Sequence, residues 1–299
     1  MFCAVFGIFA AMKRREITDI LIRAAGDLYP REEARAIAFV VTRHFYGFGR
    51  KEAAMDPDAD VENYDAIKLK DILSQLGSWK PVQYITGETE FMGLRIGVSG
   101  ATLIPRPETE ELVSAIIKYP RKVRPEKILD IGTGSGAIAI ALAKNIPGTQ
   151  VYAVDVSGEA LAVARKNAGA NGVEANFIMA DVLLPQEELL DLLPPGQFDI
   201  IVSNPPYIPE GEKLSMRANV TCHEPAGALF VPDGDPLLFY RTIGSLACKA
   251  LSNEGELWFE VHEDFAQEVC ALMEELGFRD IGLIMDINGK ERIARCRKG

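Results

Sequence analysis

Lys127-Ile128-Leu129-Asp130-Ile131-Gly132-Thr133-Gly134-Ser135-Gly136 decides the fold. A short aliphatic strand runs directly into a glycine-rich turn. Ala137 to Lys144 then supplies a helix of small and aliphatic residues. Strand, tight turn and helix in that order begin a βαβ unit. The glycines admit a ligand to the backbone with no Cβ in the way, and the helix start adds the positive end of a dipole. Gln150 to Asp155 reads as a second strand ending in an acid, which can accept both hydroxyls of a ribose. Ala175 to Ala180 reads as a third strand ending at Asp181-Val182, a position suited to the exocyclic amine and ring edge of an adenine.

A fourth strand, Phe198 to Ser203, meets Asn204-Pro205-Pro206-Tyr207. Each proline fixes φ and lacks a donor, so the chain stops abruptly. The result is a rigid turn at the C-terminal edge of the sheet, where open α/β folds place ligands. The Asn204 side-chain carbonyl and nearby backbone carbonyls are free to accept from an –NH2 group, and Tyr207 can lie flat on a planar substrate. Alone, the tetrapeptide could be a plain strand-ending turn.

Gly132 to Ala137 also satisfies the dinucleotide fingerprint G-x-G-x-x-G/A. Two features argue against a nicotinamide cofactor. Asp130 precedes the first glycine, where its carboxylate would repel a pyrophosphate but tolerate a zwitterionic methionine group. The Asn204 turn, in addition, has no role in hydride transfer. Together they favour S-adenosylmethionine and methyl transfer to a planar nitrogen.

Asp130 to Gly136 and Asn204 to Tyr207 look like the motifs of class I amino-methyltransferases. More narrowly, the chain resembles the PrmC/HemK family, the protein-(glutamine-N5) methyltransferases of peptide chain release factors. Pro81-Val82-Gln83-Tyr84-Ile85-Thr86-Gly87-Glu88 and Thr102 to Val113 carry the likeness upstream. Glu224-Pro225, Ala228-Leu229 and Asp286 to Arg292 carry it downstream. The resemblance spans roughly residues 13 to 297. One departure is Val261-His262 after Phe259-Glu260, where the family has Ile-Gly; this puts the local shape of that strand end in question.

The resemblance implies methylation of the glutamine in the GGQ motif of class I release factors. It implies a cofactor site of Gly132, Thr133, Gly134, Ser135, Gly136, Asp155, Asp181, Val182 and Asn204. The catalytic residues would be Asn204, Pro205, Pro206 and Tyr207. An amide nitrogen is a poor nucleophile, because its lone pair is delocalised. Hydrogen bonds from its –NH2 to Asn204 and the Pro205 carbonyl could hold it in line and favour pyramidalisation, so positioning is the main expected contribution. Two alternatives use the same motifs: an N6-adenine DNA methyltransferase, and a cofactor-binding protein without catalysis. The first lacks a basic, aromatic-rich recognition segment. The intact glycine loop, Asp155 and Asn204 speak against the second.

With 299 residues the chain is long enough for about two domains. Its net charge of −11 weakens a nucleic-acid-binding reading. Cys3, Cys222, Cys248, Cys270 and Cys296 are scattered and odd in number, which suggests reduced thiols in a cytoplasmic protein. His44, His223 and His262 have no metal spacing, so no metal is expected. The apolar stretch 1–12 is shorter than the ~20 residues of a membrane span. Its basic residues, Lys13-Arg14-Arg15, follow it rather than precede it. It reads as an over-extended start or loose tail, with no stable membrane association.

Residues 13–80 read as a helical domain for docking a protein substrate. Ile17 to Leu28 form one helix, Ala34 to Phe45 a second, and another begins at Ala66. Residues 81–100 alternate apolar and polar, so a β-hairpin linker is expected there. Residues 101–299 form the methyltransferase domain. Pro107 opens a helix to Lys118, with Arg106 either on the active-site rim or paired to a surface acid. From position 126 strands and helices alternate, so a parallel sheet covered on both faces follows. A long loop from Tyr207 to about Leu229 should form one wall of the acceptor cleft. A terminal antiparallel hairpin turns at Asn288-Gly289. The fold class expected is therefore α/β, a class I Rossmann-like methyltransferase sheet with a small N-terminal helical domain. A monomer that binds no DNA directly is the expected form.

Overall fold

The computed structural model describes residues 12–299. The expected apolar tail therefore lies outside the described residues, apart from Met12. The chain forms two compact units. One takes in residues up to Gly87 together with Arg217–His223; the other is Glu88–Met216 with Glu224–Gly299.

The first unit is helical: Arg14–Gly26, Arg31–Tyr46, Arg50–Met55, Ala66–Gly77 and Val82–Thr86. Ile17, Leu21 and Ala25 recur every four residues, which stacks them on one face, and all three are fully buried. Ile37, Ala38 and Val41 of the second helix join the same core, as do Leu69, Ile72 and Leu76. Asp65 starts the fourth helix by accepting from the Ile67 and Lys68 amides at 2.8 and 3.1 Å. Gly47 ends the second in the left-handed conformation, at φ 72°. The short helix Arg50–Met55 buries no residue, so no apolar periodicity betrays it in the sequence. Arg217–His223 is held to this unit by an Arg217–Glu33 ion pair of 3.0 Å and by His223 Nε2 against the Ser78 carbonyl at 2.8 Å.

The second unit opens with an antiparallel hairpin of β1 (Glu88–Phe91) and β2 (Leu94–Gly97). The hairpin expected over 81–100 thus occupies only the later part of that range. Its start is the helical turn Val82–Thr86, set off by Pro81 and stopped by Gly87 at φ 76°. The remaining strands are β3 (Lys127–Ile131), β4 (Gln150–Asp155), β5 (Asn176–Met179), β6 (Phe198–Ser203), β7 (Ile208–Pro209), β8 (Phe230–Val231), β9 (Leu251–Glu260), β10 (Phe278–Met285) and β11 (Glu291–Lys298).

Seven of them make one sheet in the order β10-β11-β9-β6-β3-β4-β5. β5, β4, β3, β6 and β9 run parallel; β11 is antiparallel to both β9 and β10. Helices Gln186–Leu192, Leu238–Ala250 and Ala266–Glu275 share one core with the sheet, built on Phe198, Ile201, Leu257, Phe259, Tyr240 and Leu246. Helices Pro107–Lys118, Ala137–Asn145 and Gly158–Asn171 pack in succession on one another and on the sheet. The sheet order reverses between β3 and β6. That reversal opens a crevice beyond the carboxyl ends of the two strands, where open α/β sheets bind ligands.

Candidate active site

The crevice holds a cavity of about 510 Å3, lined among others by Gly132, Gly134, Asp155, Asp181, Val182, Asn204, Pro205 and Pro206. That volume falls within the ~300–1,000 Å3 of ligand pockets. Ser203 Oγ donates to the Ile131 carbonyl at 2.7 Å, which stitches the end of β6 to the end of β3. A Cβ built on Gly132 would lie 4.0 Å from the Asn204 carbonyl oxygen, so the glycine loop and the Asn204 turn face each other directly.

On the glycine side the main chain makes the wall. The Gly132 and Thr133 amides donate to the Val154 carbonyl at 2.8 and 3.0 Å, which folds the loop onto the end of β4. The loop needs positive φ at Gly132 and Gly134, 74° and 54°, which glycine adopts without a Cβ penalty. Asp155 accepts from the Gly134 amide on Oδ2 and from the Ser157 amide on Oδ1, both at 2.8 Å. Its carboxylate is thereby aimed, and each oxygen keeps a lone pair for a hydroxyl. Asp181 Oδ1 accepts from the Leu183 amide at 2.9 Å, in a local turn that presents Val182 to the cavity. Leu103, Ala160, Phe239 and Ile243 supply an apolar lining.

Thr133, Ser135 and Gly136 lie outside the lining and shape the loop from behind. Thr133 Oγ1 donates to Asp130 Oδ2 at 2.6 Å. The Ser135 carbonyl accepts from Asn167 Nδ2 at 2.8 Å. A Cβ on Gly136 would meet the Ala164 Cβ at 3.0 Å, so this glycine admits the close approach of helix Gly158–Asn171. Asp130 is fully buried, and its Oδ2 also accepts from the Ala139 amide at 3.2 Å. Its Oδ1 has no hydrogen-bond partner. Burial pushes this carboxyl up to about 7, against the pull of the Thr133 and Ala139 hydrogen bonds.

On the opposite side the turn at Asn204 lines the cavity and is backed by a network of side chains. Half-buried Asn204 donates from Nδ2 to Thr109 Oγ1 at 3.1 Å. Thr109 donates to Glu260 Oε2 at 2.6 Å, and the Tyr207 hydroxyl donates to Glu260 Oε1 at 3.0 Å. The Tyr240 hydroxyl reaches the Glu260 carbonyl at 3.2 Å. Burial raises the Glu260 carboxyl above its ordinary value, opposed by the Thr109 and Tyr207 hydrogen bonds and by Arg292. The Tyr207 phenol is pushed well above its usual range by burial and by the Glu260 charge.

Tyr207 is not among the residues that line the cavity. Its ring packs against the His262 ring at 5.9 Å, with 66° between the planes. Its hydroxyl is committed to a buried carboxylate, a different position from that of a flat platform for substrate. Thr109 and Glu260 were not singled out in the sequence for any role at the site. Their only local signals are a hydroxyl in the first turn of a Pro-initiated helix and an acid at the end of a strand.

Arg106 pairs with Glu224 at 2.5 Å, and the Glu224 side chain is almost wholly buried, so its partner is not a surface acid. Glu224 Oε2 also accepts from the Ile104 amide at 3.2 Å. The same side chain thereby fixes the last part of the long loop, whose Pro225, Gly227 and Ala228 line the cavity. The base of that loop is closed by the parallel pairing of β7 with β8. Val261 is buried and donates its amide to the Arg292 carbonyl at 2.8 Å. His262 Nδ1 accepts from the Asp264 amide at 3.2 Å and so caps the turn that follows.

A family model described as a methyltransferase small domain matches residues 109–242. The chain is 44% identical to a release factor glutamine methyltransferase of Flavobacterium psychrophilum, over 92% of this chain and 95% of that protein. It is 42% identical to the protein of the same name from Bacteroides thetaiotaomicron, over 94% of this chain and 99% of that one. Among solved structures, a methyltransferase from Pyrococcus furiosus superposes with a TM-score of 0.51 at 19% identity, over 70% of this chain and 90% of that one. This last likeness concerns the fold alone.

Proposed function

This chain belongs to the release factor glutamine methyltransferase family, and from that premise we propose how its residues transfer a methyl group from S-adenosylmethionine to the N5 amide nitrogen of a release-factor glutamine. The cofactor supplies a methyl group activated by attachment to a sulfonium centre. The residues present fit it. Asp155 offers aimed carboxylate oxygens to the ribose hydroxyls, and Asp181 with Val182 offers an edge for the adenine. The orphaned Oδ1 of buried Asp130 is a matched acceptor for a cation such as the methionine ammonium.

Asn204 is the residue on which the acceptor side rests. With Nδ2 committed to Thr109, its remaining polar atom is Oδ1. That oxygen and the Pro205 carbonyl can take the two N–H bonds of a glutamine amide. The hydrogen bonds draw electron density toward nitrogen and strengthen as it pyramidalises. No strong base is needed before transfer, because the proton is acidified only once the new C–N bond has formed. The two prolines keep the turn from relaxing.

The helical unit carries none of these groups, so its role in this reading is to dock the body of the release factor. The reading also has the protein acting in the cytoplasm as a monomer, without direct contact with DNA. Among the described residues no helix is long and apolar enough to cross a membrane. The observation that carries the proposal is that Asn204 and the glycine loop line one cavity, with the Asn204 carbonyl oxygen 4.0 Å from where a Cβ on Gly132 would lie. Incubation with labelled S-adenosylmethionine and either a release factor or duplex DNA tests it. Label on the glutamine of the release factor is expected, and label on adenine instead would overturn it.

A further inference from the structure

Asn204 bears both a donor and an acceptor on one planar group, and only one orientation serves an incoming –NH2. Reversed by 180°, the side chain would present its own NH2 to the substrate, donor against donor. The tetrapeptide does nothing to choose between the two orientations. Thr109 and Glu260 do.

A carboxylate accepts and never donates. Glu260 is nearly fully buried, and each of its oxygens takes a hydroxyl, Thr109 at 2.6 Å and Tyr207 at 3.0 Å. The single proton of Thr109 is therefore spent on Glu260. What Thr109 has left for Asn204 is a lone pair, and only Nδ2 can answer it, at 3.1 Å. Thr109 is itself buried, so no solvent competes for that lone pair. Glu260 is pinned at its backbone as well, where Tyr240 donates to its carbonyl.

We propose that Glu260 and Thr109 are positioning residues: a one-way hydrogen-bond relay, Asn204 to Thr109 to Glu260, that locks Asn204 with Oδ1 toward the acceptor amide. This deepens the reading of Asn204 as the amide holder and rests on it. The relay joins the ends of β6 and β9 to the first turn of helix Pro107–Lys118. It acts on the orientation of one group and touches neither cofactor nor substrate.

The test uses the full chain. Thr109→Val keeps the branched shape and removes the hydroxyl; Thr109→Ser keeps the hydroxyl. Val is expected to lower kcat on the release factor by about 30-fold or more, roughly 2 kcal/mol at the barrier, with S-adenosylmethionine affinity and release-factor KM held within about threefold. Ser should recover most of the lost rate. In an Asn204→Ala background Thr109→Val should cost nothing further, because a relay has nothing left to orient. The side-chain amide protons of Asn204, assigned by their loss in Asn204→Ala, supply a readout free of turnover. In the free protein they should give one resolved pair that moves or broadens in Thr109→Val and stays in place in Thr109→Ser. A Val variant with normal kcat, or one that loses cofactor affinity along with rate, overturns the relay. An inert wild-type enzyme would sink the glutamine reading instead, and the amide resonances would still decide whether Asn204 is locked.

Discussion

On the side of Gly132 and Asp155 a glycine loop shapes the cavity through its main chain, whereas on the side of Asn204 the turn that lines it is held from behind by side chains drawn from separate elements. The first side comes from one continuous βαβ unit: a loop of glycines and a carboxylate aimed by two backbone amides. The second requires Thr109, Asn204 and Glu260, far apart in sequence and joined only by hydrogen bonds. Holding a cofactor asks for a shape and a few fixed acceptors, which backbone geometry supplies. Holding a weak nucleophile in line asks for a group that cannot turn, which requires a buried network.

The sharpest way to break this division is Asn204→Ala. If the acceptor side alone carries the chemistry, kcat should fall by about three orders of magnitude, in the range of losing an essential transition-state hydrogen-bonding group. Cofactor affinity should stay within a few-fold. Single-turnover transfer and calorimetric titration on the same preparation separate the two. A joint loss of affinity and rate would place Asn204 with the cofactor and erase the distinction.

The mirror image is Asp155→Ala. Loss of charge-assisted hydrogen bonds to a ribose should weaken S-adenosylmethionine by about 2 kcal/mol or more, some 30-fold. Transfer at saturating cofactor should change much less. Unchanged affinity in a folded variant would remove Asp155 from the cofactor side.

How much of each side was legible in the sequence follows from the same contrast. Gly132 to Gly136 and Asp155 announce themselves, because a glycine-rich turn after a strand has few other uses and the acid ends the next strand. Asp181 and Asn204 are proposed by the same rule, and both line the cavity. The sheet was legible too, since alternating strands and helices admit few arrangements. Thr109 and Glu260 were not. A threonine in the first turn of a helix and a glutamate at a strand end are ordinary until the fold brings them together. Tyr207 shows the opposite limit: an aromatic beside the turn suggests a stacking platform, whereas the structure commits its hydroxyl to Glu260 and leaves it outside the cavity lining. The helix Arg50–Met55 was invisible because it buries nothing.

Asp130 allows a smaller, pH-dependent test of the cofactor side. Its carboxyl, pushed up to about 7 by burial, must be ionised to attract an ammonium group. Affinity for S-adenosylmethionine should therefore rise several-fold from pH 6 to pH 8, up to the tenfold per unit that one ionisation allows. Asp130→Asn should bind weakly at both. The sign for stability is the reverse. The folded protein keeps this proton up to about 7, while an unfolded chain releases it near ~3.9. The folded state binds more protons in that window, so this carboxyl's contribution to stability is lost as pH rises through it. Thermal melts of Asp130→Asn should lack that component.

The smallest effect expected is that of Tyr207→Phe, and it discriminates between two uses of one ring. Phe keeps the aromatic face and loses only the hydroxyl. If Tyr207 serves as a platform for the substrate, melting temperature and kcat should both be unchanged. If it serves Glu260, as the 3.0 Å hydrogen bond indicates, removing the donor leaves one oxygen of a buried carboxylate unpartnered. Stability should then fall by about 1–3 kcal/mol, the cost of an unsatisfied buried acceptor. The Glu260 proton should also be held more tightly, because a hydrogen bond that favours the ionised form is gone. Protonated at Oε1, Glu260 still accepts from Thr109 on Oε2. Protonated at Oε2, it becomes a donor, and Thr109 is then free to donate to Asn204 and reverse its amide. The variant should therefore lose rate on acidification at a higher pH than the wild type does, with kcat recovering as pH rises. A Phe variant with the wild-type pH profile and melting temperature would return Tyr207 to the substrate.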